Sequence, residues 1–301
     1  VHDRGSRAVE EVYEPGSVEK VLTAAALVDA GKVTPGTRMT LPPVLERGPD
    51  TIKDWFTHDQ IRMTFAGVIA RSSNIGTAIA AEQLEPEELY AYLTDFGLGR
   101  RAHLGLAGET AGLVPPPSSW LPISRDTIAF GQGISVNAVQ MAAAIGAIAN
   151  DGTYIEPSLV KGYVGSGGAI TPVRTPQTRQ VISRDAANSV TDMMEMVTSE
   201  GGTAPLARIE GYRVAGKTGT AQRVDTERGG YAGGGYTVSF GGFAPADKPR
   251  ILTYVVLQKP ASNVGGGTGA GPVFRDITSY ALAKYAVPPT GTTPPDLPLD
   301  W

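Results

Sequence analysis

Ser17 and Lys20, in the stretch Tyr13-Glu14-Pro15-Gly16-Ser17-Val18-Glu19-Lys20-Val21-Leu22, are a hydroxyl and an amine three residues apart. On a helix that spacing sets them one above the other on one face. A neutral amine there can take the hydroxyl proton and turn the serine into a nucleophile, and burial is what keeps such an amine neutral. A helix starting at Ser17 adds unpaired N–H groups and the positive end of the helix dipole, both suited to an oxyanion. Ser158 and Lys161 repeat the pattern among Tyr154, Ile155, Val160, Tyr163 and Val164. That run reads as strand, where positions three apart face opposite sides, so only the first copy can pair its side chains.

Two other polar clusters could complete such a site. Ser72-Ser73-Asn74 is a short corner between helical stretches, for which helix capping is the plainer explanation. Its copy, Ser135-Val136-Asn137, directly precedes a helix expected over Ala138–Ala149 and is accounted for by capping alone. Lys217-Thr218-Gly219-Thr220 ends a strand-like run, and Lys217 with the two threonine hydroxyls would make a cationic rail for a carboxylate along a cleft. The plainer alternative is a strand end with a solvated lysine. Gly211 to Thr218 also matches the phosphate-binding expression G-x-x-x-x-G-K-[ST] letter for letter. A phosphate loop must open into a helix, whereas Tyr212, Val214 and Ala215 look like strand and a glycine-rich loop follows Thr220.

The elements that must hold these residues follow from the hydrophobic pattern. Val21, Leu22, Ala25 and Val28 recur at three and four, which predicts a helix from Ser17 to about Gly31. Residues 1–14 read as a linker or an edge strand, and the proline- and threonine-rich residues 32–50 as loop. A helical pattern returns over 57–70, another follows Gly76, and Glu85-Pro86 opens a third with proline at its favoured first position. Residues 96–99 and 104–117 read as loop, 129–134 as a tight apolar turn, and 154–182 as short strands between turns. Residues 185–199 predict a helix with a core stripe of Val190, Met193, Met194 and Val197. The strand-like runs at 212–221, 236–243 and 251–257 make an antiparallel meander, with a glycine-rich loop reaching to Gly235. A helix over 273–286 then closes the domain, and the proline-rich residues 287–301 are expected to be a disordered tail.

Composition narrows the function further. At 301 residues the chain can bury about three-quarters of its unfolded surface. With 41% hydrophobic and 19% charged residues and a formal charge of −4 it is globular and gives no reason to expect nucleic acid as a partner. No apolar run reaches the roughly eighteen residues needed to cross a bilayer. The opening Val1-His2-Asp3, without methionine or signal peptide, leads us to expect a piece of a longer protein. The absence of cysteine excludes disulfides, thiolate catalysis and cysteine-held metal. His2, His58 and His103 are too scattered for a metal site or a Ser-His-Asp triad, so we expect no metal, no cofactor, and a base other than histidine.

In order along the chain, Ser17-Val18-Glu19-Lys20, Ser72-Ser73-Asn74 and Lys217-Thr218-Gly219 resemble the three motifs of the penicillin-binding protein and serine β-lactamase superfamily. Tyr13 to Ser17, Ala129 to Gly133, Gly201-Gly202-Thr203-Ala204, Val214 to Gln222 and Gly241 to Asp247 are similar to class B penicillin-binding proteins, specifically the septal cell-division transpeptidases. The resemblance covers roughly residues 13 to 285. It implies an α+β transpeptidase fold, an antiparallel sheet flanked by helices plus a helical lobe, over residues 1–286, with an anchor and pedestal domain expected upstream. It further implies a D,D-transpeptidase cross-linking peptidoglycan stem peptides on the outer face of the plasma membrane, anchored by a single pass, with divisome partners including a glycan polymerase. By the same resemblance Ser17 attacks the D-Ala-D-Ala carbonyl or a β-lactam, Lys20 takes its proton, and Ser72 relays a proton to the leaving amine. Asn74 holds the substrate amide, Lys217, Thr218, Gly219 and Thr220 bind the terminal carboxylate, and the N–H groups of Ser17 and Thr220 form the oxyanion hole. Glu19 departs from the usual apolar or neutral residue and points off the catalytic face. A non-catalytic penicillin sensor or divisome scaffold would carry the same motifs, and a nucleotide hydrolase is the remaining alternative. Equilibrium dialysis with magnesium should find no specific ATP or GTP binding; micromolar binding that disappears in Lys217→Ala would restore the nucleotide reading.

Overall fold

The computed structural model describes residues 5–172, 176–223, 230, 234–261 and 264–301. The stretch expected as linker or edge strand forms a short helix, α1 (Arg7–Glu10), then a single antiparallel bridge from Tyr13 to Val136. A 3₁₀ turn, Gly16–Val18, runs straight into α2 (Lys20–Asp29). Every residue of α2 from Lys20 to Leu27 is buried, so this helix lies in the middle of the helical lobe and is no surface element.

Where a loop was expected the chain makes β1 (Arg38–Leu41), β2 (Leu45–Arg47) and β3 (Asp50–Ile52), followed by β4 (Ile61–Thr64) in place of the first half of the expected 57–70 helix. Strand β1 pairs with β4 and β2 with β3, both antiparallel. Met39 and Leu41 face inward and Arg38 and Thr40 outward, a period-two signal short enough to hide among the flanking prolines. The Thr64 hydroxyl accepts from Gly67 N at 3.0 Å and caps α3 (Phe65–Ala70), which fixes where that helix starts. Ser73 caps α4 (Asn74–Ala81) in the same way, and α5 (Pro86–Asp95) carries Pro86 at its first position. Helix α6 (Ser124–Ala129) was not expected; it ends at the apolar turn that was. Asn137 caps α7 (Ala138–Ala149) as read from the sequence. Two peripheral ribbons follow, β5 (Thr153–Ile155) with β8 (Thr178–Gln180) and β6 (Gly162–Val164) with β7 (Ile170–Pro172). Helix α8 (Arg184–Thr198) buries the predicted stripe of Val190, Met193, Met194 and Val197.

The central sheet is the expected meander of β9 (Ala215–Gln222), β10 (Tyr236–Ala244) and β11 (Ile251–Gln258), in spatial order β11-β10-β9. The glycine-rich loop between β9 and β10 lies mostly outside the described residues. Helix α9 (Gly271–Lys284) covers one face, with Phe274 packed on Phe240 at a centroid distance of 4.7 Å. The next residue, Gly241, turns to the opposite face, towards Ile145 of α7, because successive strand positions alternate. The sheet is thus enclosed between α9 and the lobe of α2, α7 and α8, the α+β arrangement expected from the sequence.

Residues 288–301 are ordered against the body, contrary to the disorder their composition suggests. Thr64 N donates to Leu299 O, Met63 bridges Asp300, and Trp301 Nε1 donates to Met39 O. Prolines have little conformational freedom left to lose, and the segment borrows a surface from β1, β4 and α3.

Edge strand β9 lies directly on the turn that carries Ser17, and the fit is close. A Cβ on Gly219 would stand 2.8 Å from Val18 Cγ2 and 2.9 Å from Pro15 O, with Ser239 Oγ closer still. Gly219→Ala should therefore cost about 1–3 kcal/mol of stability through overpacking, read as a lower urea midpoint with an unchanged m-value.

Candidate active site

The 3₁₀ turn leaves Ser17 half-buried at the head of α2, on a cleft of about 510 Å³ between the helical lobe and the edge of the sheet. Gly16 makes this turn possible: its φ of +56° is one that side chains resist, and its N–H is anchored on Gly131 O at 3.0 Å. Ser72, Asn74, Thr218 and Thr220 share the cleft, so residues as much as 203 positions apart meet in one place.

Lys20 and Lys217 are both completely buried. Lys20 Nζ donates to Asn74 Oδ1 at 2.7 Å, to Ser72 O at 2.7 Å and to Ser72 Oγ at 3.3 Å. Lys217 Nζ donates to Ser72 Oγ at 2.8 Å and to Thr218 O at 3.2 Å. Two amines therefore converge on one hydroxyl. Burial, opposed by the nearby charges of Asp54 and Glu19, holds the Lys20 amine down at about 7. Burial, reinforced by the Lys20 charge, pushes Lys217 well below the ordinary lysine range. Both protonated at once would place two ammonium groups around one oxygen in a dry site. With Lys20 neutral, Ser72 can donate its proton to Lys20 while accepting from Lys217.

Three expectations change in detail. Ser17 and Lys20 lie at the junction of a 3₁₀ turn and an α-helix, but among the described residues no hydrogen bond joins them; Lys20 is drawn to Ser72 and Asn74. Lys217 does not stand on one rail with Thr218 and Thr220. Strand alternation sends Lys217 under the surface to Ser72, with Gly219 on the same side beneath the serine turn, and leaves Thr218 and Thr220 lining the cleft. Ser158 and Lys161 are exposed on the loop between β5 and β6, so they fail to pair for want of any regular structure there, not because they occupy a strand.

Asp54 has no motif to announce it. Its carboxylate accepts from Ser73 Oγ at 2.7 Å, Asn74 N at 2.6 Å and Ile75 N at 3.0 Å, and faces His58 Nε2 at 3.2 Å. It thereby satisfies the free N–H groups at the start of α4 and fixes the corner. Ser72 itself adopts φ +61°, rare for a residue with a side chain, and needs such support. Trp55, next to Asp54, stands at the cleft rim with Nε1 donating to Arg71 O at 2.8 Å. Gln132 and Thr203 also line the cleft, and Thr203 Oγ1 lies 3.0 Å from Thr218 Oγ1. Glu19 is buried in the core, off the catalytic face as its spacing predicts, with one oxygen accepting from Thr23 Oγ1 and the other unpaired among the described residues. Burial raises its carboxyl well above the usual range, towards the neutral form. The Gly211 to Thr218 match runs from a loop into β9, which continues as strand to Gln222, so no helix opens after Lys217.

A serine at a helix head, a buried amine and a lysine-bearing sheet edge, brought together across a cleft between a helical lobe and an antiparallel sheet, define the class of active-site-serine proteins that recognise penicillin. Within that class the chain belongs to the penicillin-binding protein transpeptidase domain family, whose model matches residues 3–279. It is 36% identical over 303 residues to penicillin-binding protein PbpB of Mycolicibacterium smegmatis, covering 98% of this chain and 47% of the relative. It is also 36% identical over 289 residues to the probable peptidoglycan D,D-transpeptidase PenA of Neisseria flavescens, covering 95% and 68%. Among solved structures, penicillin-binding protein 3 of Mycobacterium tuberculosis in complex with ampicillin superposes with a TM-score of 0.92 at 36% identity, over 99% of this chain and 68% of that one. The chain spans about half the length of the mycobacterial PbpB relatives, 47% and 43%.

The Lys20 amine should titrate near 7: charged below that pH and neutral above it, so that it is a base at neutral pH. NMR of lysine-labelled protein, assigned with Lys20→Arg, reads this directly, and a Lys20 signal titrating near 10 would contradict the burial argument.

Proposed function

We propose that this chain is the catalytic part of a septal peptidoglycan D,D-transpeptidase that works through an acyl-enzyme on Ser17 and is acylated by β-lactams at the same atom. The observation that carries the reading is the convergence of buried Lys20 and Lys217 on Ser72 Oγ beside Ser17. In this reading Ser17 Oγ attacks the carbonyl carbon of the penultimate D-Ala and its proton passes to neutral Lys20. The peptide C–N bond then breaks, and the proton moves through Ser72 to the nitrogen of the departing D-Ala. The amine of a second stem peptide next attacks the ester carbonyl and loses its proton to Lys20; the ester C–O bond then breaks, and that proton returns to Ser17 Oγ. A positioned base of this kind contributes about 10²–10⁴ in rate.

Asn74, whose Oδ1 is held by Lys20 and whose Nδ2 donates to Lys53 O, would orient the substrate amide. Thr218 and Thr220 would take the terminal carboxylate, with Lys217 holding Ser72 and Thr218 by hydrogen bonds from beneath the surface. The N–H groups of Ser17 and Thr220 would receive the oxyanion, a contribution of about 10²–10³ per donor. The upstream anchor, the outer face of the plasma membrane as location, and divisome partners including a glycan polymerase belong to the same proposal.

None of the described residues lining the cleft is a carboxylate. Glu109 lies on a different cavity and accepts from Leu104 N at 3.1 Å, a structural role. A class A β-lactamase uses a glutamate to drive water onto the ester, and no glutamate or aspartate faces this cleft among the described residues. One β-lactam should therefore add to Ser17 and stay there. Intact-mass and peptide mass spectrometry should find a single adduct, absent in Ser17→Ala and persisting for many minutes after free drug is removed. Loss within seconds would indicate a β-lactamase. Incubation with purified donor and acceptor stem peptides separates enzyme from sensor, since a sensor would form the adduct and no cross-linked product.

A further inference from the structure

The family model ends at residue 279, yet a segment beyond it docks one residue from the catalytic corner. Arg71 immediately precedes Ser72, and its guanidinium forms a two-pronged pair with Asp300, at 2.6 and 2.5 Å. Its N–H is bonded to Gly67 O and its carbonyl accepts from Trp55, so side chain, N–H and carbonyl are all engaged. The same segment holds the other end of α3. Thr64, which caps that helix, donates through Oγ1 to Pro298 O at 2.6 Å and through N to Leu299 O at 3.0 Å. Leu299 O lies so near Gly67 that no side chain fits there, and the Leu299 side chain reaches Gly201, two residues from Thr203 on the opposite wall of the cleft. Trp301 fastens the end, its ring beneath the guanidinium groups of Arg38 at 5.2 Å and Arg62 at 5.1 Å.

We propose that residues 297–301 are a positioning strap for the Ser72–Asn74 corner, acting on Ser72 through α3 and Arg71. A serine at φ +61° holds that conformation only while its surroundings fix it, and the strap clamps both ends of the helix that delivers it. Asp300 is about half exposed, so its pair with Arg71 contributes little alone. The strap acts as a set of anchors, and its effect on acylation deepens with the number removed. None of its residues lines the cleft among the described residues. The inference rests on the functional reading above for its kinetic consequence and on geometry alone for its structural one.

The test measures two things in the full chain, in Asp300→Ala, in Asp300→Glu, in Trp301→Ala, and in a chain lacking residues 297–301. One is the rate of Ser17 acylation by a fluorescent penicillin, separated into binding and chemical steps. The other is amide hydrogen exchange over residues 70–76. The deletion should slow the chemical step by about tenfold or more with binding little changed, as displacement of a catalytic group does. Asp300→Ala should slow it by less than about fivefold, with Asp300→Glu recovering much of the loss. Exchange over 70–76 should rise in the same order. Variants that melt at a lower temperature yet, at a temperature where they are folded, acylate and exchange like the full chain would overturn the proposal. If the full chain takes up no penicillin, the functional reading fails, and exchange over 70–76 still decides the strap.

Discussion

Two lysine side chains buried against one serine hydroxyl are the constraint around which this molecule is built. Either amine would be at ease in water, and removing both from it costs far more than the hydrogen bonds to Ser72, Asn74 and Thr218 return. The cost is tolerated because burial makes an ordinary amine into a base near neutrality. It can be met only by a rigid enclosure, and the enclosure is what the surrounding elements supply. Helix α2 is buried from Lys20 to Leu27, β9 closes over the turn that precedes it, and α8 packs against both α2 and β9.

Rigidity at the cleft comes from many small devices around that pair. Gly16 and Gly219 let the serine turn and the sheet edge approach closely enough to shut water out from beneath them. Asp54 ties three donors of the Ser73-Asn74-Ile75 run to a single carboxylate, which keeps Asn74 Oδ1 aimed at Lys20. A strained serine at position 72 is then affordable, because its neighbours on both sides are already fixed. Alternation along β9 divides the labour of one short motif. Lys217 goes inward to set the electrostatics, and Thr218 and Thr220 remain at the surface, where a ligand can reach them.

Much of this was legible in the residues. Ser17 with Lys20, the Ser-Ser-Asn corner and the Lys-Thr-Gly-Thr run are local patterns, and their order along the chain carries the family. Helices α4, α5, α7 and α8 were readable because their caps and apolar stripes are local too, and the meander because each strand is long and bounded by turns. Two of the missed features depend on distant partners. Strand β1 exists because β4 pairs with it from the far side of a long excursion, and β4 in turn takes residues whose apolar spacing also suits a helix. Residues 297–301 lack any core of their own and take their place on a surface made by residues far earlier in the chain, Met39, Thr64 and Gly201 among them.

The sequence by itself determined the chemistry on offer: a hydroxyl with an amine at helical spacing, no cysteine, no histidine pair, and a lysine followed by hydroxyls on a strand. Only the tertiary structure decided which groups meet. It turned Lys20 towards Ser72 and Asn74, brought Lys217 beneath the same hydroxyl, and set Asp54 at the head of α4. The reason is physical. Spacing along a chain fixes the face on which a side chain stands, whereas its protonation state and its partners depend on how completely distant parts of the chain exclude water from that face.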